Sequence, residues 1–143
     1  MLIIAIMRTL HIGLRVGDIE KSLQFYEAVG YEVVGEVPET SHGSITMLKL
    51  PGDEFVTIEL VSDPERDVRG GDNLNHIVIQ TESLDATRAE LAECGIDADE
   101  PELPGGEVGP RTSWITDPDG NRIELVQWPD GHSAGMSADD FPG

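Results

Sequence analysis

The sequence has 143 residues, enough for one compact domain with a substantial hydrophobic core, and its nine basic and 28 acidic residues give a net charge of −19. Because phosphate groups are bound by clustered lysine and arginine, this charge argues against nucleic acid or an anionic membrane as the main partner. The apolar run at residues 1–7 is too short for a membrane span and lacks the features of a signal peptide.

The first module of the sequence, residues 7–61, has the predicted order β-α-β-β-β. Its helix is predicted at residues 19–29, with Asp18 as the N-cap and Gly30 as the terminating residue. Alternating polar and branched aliphatic residues, separated by turn-forming segments, predict the strands. These strands are expected at residues 10–16, 31–35, 45–50 and 55–61.

A polar, glycine-containing linker at residues 62–73 precedes a second module, residues 74–128, in which the same order recurs. Ser83 is the predicted cap of its helix, and Gly95 ends that helix. Residues 129–143 have no periodicity and predict a mobile tail or one that lies on a partner. The strands of the second module are expected at residues 74–80, 96–98, 111–116 and 122–128.

The two modules are related by an internal duplication with an offset of 65 residues. His11 and His76 differ by 76 − 11 = 65, and Glu59 and Glu124 differ by 124 − 59 = 65. Self-similarity at one fixed offset indicates two copies of one structural unit.

The duplicated histidines and glutamates lie on the polar faces of their predicted strands, opposite the branched aliphatic residues. A buried polar or charged group there costs several kcal/mol unless a partner or a metal compensates it. A lone histidine or glutamate on a strand is more often structural or solvated, but a duplicated pair favours a divalent ion such as Zn²⁺, Ni²⁺, Co²⁺ or Fe²⁺. The predicted metal ligands are His11, Glu59, His76 and Glu124.

Three segments resemble the vicinal oxygen chelate superfamily, which includes glyoxalase I, bleomycin-resistance proteins and extradiol dioxygenases. They are residues 11–19, residues 25–26 and residues 117–125, and the likeness extends over residues 10–128. The resemblance implies one α+β domain, residues 1–143, in which two tandem β-α-β-β-β modules form a curved mixed sheet with helices on its convex face.

Within that superfamily, the order His, Glu, His, Glu most resembles glyoxalase I, or lactoylglutathione lyase. This resemblance implies a metal-dependent isomerase that converts the hemithioacetal of methylglyoxal, or another 2-oxoaldehyde, and a small thiol through a cis-enediolate. Glu124 is then the expected base, Glu59 a metal ligand or second base, and nickel or zinc the expected ion. The resemblance also implies a homodimer with a small-molecule substrate, and it leaves open whether the site lies within one chain or is shared by two. The expected location is the cytoplasm, from the single cysteine and the lack of signal-peptide features.

Two arginines are the predicted substrate-binding residues. Arg15, four residues after His11, matches a family arginine that holds the glutamyl carboxylate of glutathione. Arg111 either supplies a second cation or is an exposed arginine at a strand end. The family has an asparagine at the position of Asp63 and, in some members, an arginine at that of Asp72, and acidic residues there would repel a carboxylate. The expected thiol is therefore glutathione or another thiol, such as the sugar-based mycothiol.

Two further functions stay open at this point: a non-catalytic protein that sequesters an antibiotic or other ligand, as in bleomycin resistance, and a CoA-thioester epimerase. The first is disfavoured by the small number of aromatic residues and the second by the nine basic residues. Trp114 and Trp128 either line a cavity or pack in the core. The single cysteine, Cys94, excludes an internal disulfide, suits the cytoplasm and is expected to be buried.

Overall fold

The computed structural model describes residues 7–68 and 74–141 of the chain. The chain forms two compact units, Met1–Arg69 and Gly70–Gly143. This division falls within the predicted linker, of which residues 69–73 lie outside the described part. Within the described residues, each unit contains one α-helix and one mixed sheet, so the predicted α+β class is confirmed. No helix in this part of the chain is long and apolar enough to cross a membrane.

The first unit has a four-stranded sheet with the strand order β1-β4-β3-β2. Strands β1 and β4 are parallel, and the other neighbouring pairs are antiparallel. The β2–β3 hairpin is longer than predicted, because its pairing continues to the contact between Thr40 and Gly43. The elements are β1 (Ile12–Val16), α1 (Ile19–Val29), β2 (Glu32–Thr40), β3 (Gly43–Lys49) and β4 (Ile58–Ser62).

The second unit has a three-stranded sheet with the order β5-β7-β6, in which β5 and β7 are parallel and β6 and β7 antiparallel. The strand predicted at residues 96–98 is wrong. Pro101 has no N–H to donate to a ladder, and only isolated contacts form around it, such as the bridge between Glu102 and Thr112. The elements are β5 (His76–Gln80), α2 (Leu84–Glu93), β6 (Arg111–Thr116) and β7 (Arg122–Gln127).

Both helices begin at their predicted caps. The Asp18 carboxylate accepts hydrogen bonds from the backbone N–H groups of Glu20 and Lys21, at 3.1 and 3.2 Å. The Ser83 hydroxyl accepts one from the N–H of Ala86 at 3.2 Å. These bonds satisfy N–H groups of the first helical turn, which have no partner within the helix.

The prediction that Cys94 is buried is wrong, because this residue is exposed. Helix α2 buries Leu84 and Leu91 and ends at Glu93, so Cys94 is its C-cap and leaves the apolar face of the helix.

The aliphatic faces of the strands form the cores of the two units. The predicted alternation of side chains is therefore confirmed, and the glutamates between the buried aliphatic residues lie on the opposite face of each sheet. The buried aliphatic residues on the strands are Leu14, Val16, Leu48, Ile58 and Leu60 in the first unit and Ile79, Ile115, Ile123, Leu125 and Val126 in the second.

Candidate functional site: two related histidine–glutamate pairs

The first pair lies on the parallel strands β1 and β4. Gly13 is the direct partner of Glu59 in the ladder, and His11 stands two residues before Gly13, on the same face. The distance between His11 Nε2 and Glu59 Oε1 is 3.2 Å. The His11 and Glu59 side chains are 35% and 23% exposed, so both are partly accessible to a ligand.

The separation of these two atoms fits a shared metal ion. Bonds from zinc-like ions to histidine nitrogen and carboxylate oxygen are about 2.0–2.2 Å, so two ligands at ordinary bond angles lie about 2.8–3.6 Å apart. The observed distance of 3.2 Å falls within this range, and it also suits a hydrogen bond between the same atoms.

The second pair repeats this register on the parallel strands β5 and β7. Val78 is the direct partner of Glu124, and His76 stands two residues before Val78. The duplication seen in the sequence therefore extends to the pairing of the strands. In each unit, the histidine is offset by two residues from the ladder partner of the glutamate.

The orientation of His76 is set by two neighbours. Its Nδ1 lies 2.6 Å from the side-chain oxygen of Asn75, and because this oxygen only accepts hydrogen bonds, Nδ1 is the donor. Nε2 then keeps its lone pair for a metal. The Trp114 indole packs edge-on against the imidazole, with ring centroids 5.1 Å apart and an interplanar angle of 74°. The sequence analysis did not predict this contact of Asn75. The signal in the sequence that could have indicated it is the position of Asn75 directly before the histidine.

Among the described residues, no group of three or more His, Cys, Asp and Glu side chains is close enough together to hold a metal. What the structure shows of the predicted ligands is therefore the geometry of each pair within its own unit. His11 and Glu59 are in contact, whereas His76 and Glu124 occupy neighbouring strands of the second sheet.

The two predicted substrate-binding arginines have different partners. Arg15 donates a long hydrogen bond, 3.5 Å, to the backbone carbonyl of His42. Arg111 forms an ion pair of 2.8 Å with Asp85 of α2, and this hydrogen bond holds the pKa of the Asp85 carboxyl below its usual value. The charge of Arg111 is thus already balanced within the second unit.

Of the two acidic positions that bear on the choice of thiol, Asp63 lies within the described residues and Asp72 does not. The Asp63 carboxylate accepts a hydrogen bond of 3.1 Å from the N–H of Glu65, as expected for a turn after β4. Asp72 lies outside the described residues.

An open, apolar pocket of about 490 Å³ adjoins the first histidine. Leu10 and Phe55 are more than half exposed, so their apolar surface is available to a ligand that reaches His11. The pocket is lined by Arg8, Leu10, His11, Phe55 and Val56.

The predicted tail makes contacts of its own between residues 129 and 141. The imidazole of His132 stacks on Trp128, with ring centroids 4.3 Å apart and an interplanar angle of 10°. His132 Nε2 also pairs with the carboxylate of Asp140, which in turn accepts a hydrogen bond from the N–H of Ser137. The partners of His132 could not be predicted, because they lie in a segment without periodicity.

Comparison with known proteins identifies a superfamily and relatives with different activities. The sequence model of the Glyoxalase/Bleomycin resistance protein/Dioxygenase superfamily matches residues 8–125. A probable lactoylglutathione lyase of Vibrio cholerae is 33% identical over 136 residues, which cover 88% of this chain and 94% of that protein. A trivalent organoarsenical cleaving enzyme of Bacillus sp. strain MD1 is 36% identical, with coverage of 83% and 72%.

Among solved structures, the antibiotic-binding protein TnmS3 of Streptomyces sp. CB03234 has a similar fold. It superposes with a TM-score of 0.67 at 28% sequence identity, and the match covers 88% of this chain and 99% of that protein. The relatives thus include proteins with three different described activities.

Proposed function

This chain belongs to the Glyoxalase/Bleomycin resistance protein/Dioxygenase superfamily, and from that premise we propose that it is a metal-dependent isomerase of glyoxalase I type. Its substrate would be the hemithioacetal of a 2-oxoaldehyde such as methylglyoxal with a small thiol, glutathione or mycothiol. The observation that carries this proposal is the repeated register of the two histidine–glutamate pairs, together with the relative described as a probable lactoylglutathione lyase.

The proposed ligand set is His11, Glu59, His76 and Glu124. Two neutral imidazoles and two carboxylates suit nickel or zinc, and the two negative charges balance the ion. The fit is supported by the 3.2 Å separation in the first unit and by the hydrogen bond that leaves Nε2 of His76 available. When bound, the ion supplies Lewis acidity that stabilises negative charge on two adjacent substrate oxygens.

The proton transfer is assigned to Glu124. Isomerisation requires one group to remove a proton from the carbon that bears the thiol and to return a proton to the neighbouring carbon. A carboxylate on the same face of the sheet as His76 is suited to both steps. Glu59 is the second carboxylate, as a metal ligand or as a second base, and Arg15 is the proposed partner of a carboxylate on the thiol.

The test is an isomerase assay on protein that has been stripped of metal and reloaded with Ni²⁺ or Zn²⁺. Methylglyoxal is mixed beforehand with glutathione or, in a parallel reaction, with mycothiol. We expect turnover with at least one thiol, and Glu124→Gln should lower kcat by about 10²–10⁴-fold.

The matched control is Glu90→Gln, which makes the same chemical change on an exposed position of α2 and should leave kcat unchanged. Absence of turnover with either thiol in the loaded protein would overturn the proposal, as would full activity in Glu124→Gln.

A second candidate function is ligand binding without turnover. It is favoured by the open apolar pocket beside His11 and by the similarity to the antibiotic-binding protein TnmS3. The similarity to an organoarsenical cleaving enzyme makes a trivalent organoarsenical a further compound to test, in a separate assay of its cleavage. A ligand that binds the pocket in the absence of metal, and is recovered unchanged, would support this second function.

Location in the cytoplasm and a homodimeric state remain predictions from the sequence.

A further inference from the structure

We infer that Asp99, Arg122 and Trp114 form a clamp that positions the imidazole of His76 for metal binding. The inference rests on the proposed function only in taking His76 as a metal ligand. All four residues belong to the second unit. The sequence assigned no role to Asp99 or Arg122, and it left open whether Trp114 lines a cavity or packs in the core.

The register of the second sheet places the clamp on the face that carries His76. Arg122 is the direct partner of His76 across the β5–β7 ladder, and Trp114 is the direct partner of Glu124 across the β6–β7 ladder. Arg122 and Glu124 are two residues apart on β7 and therefore share a face of the sheet. Their ladder partners His76 and Trp114 lie on that same face.

The indole of Trp114 reaches across β7 to the histidine. Strand β6 is separated from β5 by β7, a distance of about 9–10 Å for two strand spacings. The centroids of the indole and of the His76 imidazole are nevertheless only 5.1 Å apart. The imidazole therefore has Asn75 at Nδ1 and the indole against its ring, which limits rotation of the ring.

Arg122 also contacts the indole. Its guanidinium carbon lies 5.3 Å from the centroid of the Trp114 ring, within the range of a cation–π contact. Both terminal nitrogens are engaged: one donates to the Thr116 hydroxyl and the other to the Asp99 carboxylate, each at 2.8 Å. These two hydrogen bonds favour the orientation in which the guanidinium lies against the ring.

Asp99 is in turn anchored to the strand that carries the tryptophan. Its backbone N–H donates to the carbonyl of Trp114 at 2.9 Å, and its carbonyl accepts a hydrogen bond from the Ser113 hydroxyl at 2.5 Å. These contacts explain why the segment before Pro101 lies beside β6 without forming a strand. They also close the clamp, because Asp99 contacts both β6 and the arginine of β7.

The Asp99–Arg122 pair is the weaker part of the clamp. Their side chains are 58% and 40% exposed, and exposed ion pairs contribute little free energy. The ring contact should therefore dominate, and loss of the carboxylate should have the smaller effect. Partners of metal-binding histidines typically change metal affinity by about 10–100-fold when they are removed.

The test is Ni²⁺ affinity by calorimetry, together with the visible absorption spectrum of the Co²⁺-loaded protein, on the full chain. We expect Trp114→Leu to weaken Ni²⁺ binding by about tenfold or more and to alter the Co²⁺ spectrum. Trp114→Phe, which keeps an aromatic ring, should restore most of the affinity. Asp99→Asn should weaken binding by about twofold to fivefold.

Two matched controls separate positioning from loss of folding. Trp128→Phe alters the other tryptophan of the chain, and Asp85→Asn breaks an ion pair of the same 2.8 Å length in the same unit. Both should leave the Ni²⁺ affinity and the Co²⁺ spectrum unchanged, and circular dichroism should show all variants folded.

Each outcome separates the clamp from the proposed function. Native Ni²⁺ affinity and an unchanged Co²⁺ spectrum in Trp114→Leu would overturn the clamp alone. Metal binding without turnover in the unaltered protein would overturn the isomerase proposal while the clamp stands. An unaltered protein that binds no metal would overturn both.

Discussion

At the scale of single residues, the contact between His11 Nε2 and Glu59 Oε1 joins two of the proposed metal ligands. Glu59→Gln keeps the size of the side chain but removes its negative charge, which an ion of charge +2 requires. We expect Ni²⁺ affinity, measured by calorimetry, to fall by at least about tenfold. Glu54→Gln, on an exposed turn residue of the same unit, is the control and should bind normally. Equal affinity in both variants would show that Glu59 is not a ligand.

A second residue-scale prediction concerns the pH dependence of the tail. The Ser133 carbonyl and, next, the Asp140 carboxylate raise the pKa of His132 above 6.5, and the Ser137 N–H and then His132 lower the pKa of Asp140 below 3.8. A raised histidine pKa contributes stability that is lost as pH rises through it, and a lowered carboxyl pKa contributes stability that is lost as pH falls through it. The tail contact is therefore strongest between these two pKa values.

Fluorescence measures this contact, because Trp114→Phe leaves Trp128 as the sole tryptophan. Its emission should change with pH, with a midpoint above 6.5. Adding Asp140→Asn should move the midpoint down, since one of the groups that raises the pKa of His132 is lost. An identical midpoint in both proteins would contradict the pairing of His132 with Asp140.

The sequence predicted the glutamates of the candidate site but not the neighbours of His76, and the reason is physical. Glu59 and Glu124 were predictable because duplication and strand alternation are properties of the chain itself. Asn75 and Trp114 act through contacts in space, one beside the imidazole and one from a strand two positions away in the sheet. Their roles depend on rotamers and register, which a single sequence does not encode in a readable pattern.

At the scale of secondary structure, Gly43 at the start of β3 lies close against the backbone at the end of β4. Gly43 has a φ of +111°, and a Cβ built there would lie 2.3 Å from the Ser62 carbonyl oxygen. Gly43→Ala should therefore destabilise the protein by at least about 2 kcal/mol, because it combines a strained φ with a backbone clash. The measurement is urea unfolding followed by circular dichroism.

The control for this substitution is Gly52→Ala, since no atom lies within 4 Å of a Cβ at that position. Its effect should be small by comparison. Similar unfolding midpoints for the two variants would mean that the backbone at Gly43 adjusts without cost.

The same scale shows where element prediction succeeds. Helix α1 has the predicted bounds, because its cap, apolar spacing and terminating glycine all agree. The strand expected at residues 96–98 fails, since three residues followed by acidic side chains and Pro101 do not supply enough ladder donors. Strand β2 was predicted too short because Pro38 and the polar residues after it resemble a turn, although an edge strand tolerates them.

At the scale of the whole molecule, the duplication relates fold to proposed function. Each copy of the repeat contributes one histidine and one glutamate to the proposed ligand set, so the proposed four-ligand ion requires both copies. A ligand that binds only the folded protein raises its stability, and metal should therefore raise the melting temperature of the stripped protein.

Metal content is the measurement that tests the central claim most directly. The purified protein is analysed by mass spectrometry of its metals before and after Ni²⁺ loading, beside His76→Ala and the control His42→Ala, whose side chain lies in the β2–β3 turn. We expect close to one divalent ion per chain, which His42→Ala retains and His76→Ala loses. A protein that takes up no ion after loading, or a His76→Ala variant that retains the full amount, would contradict the account.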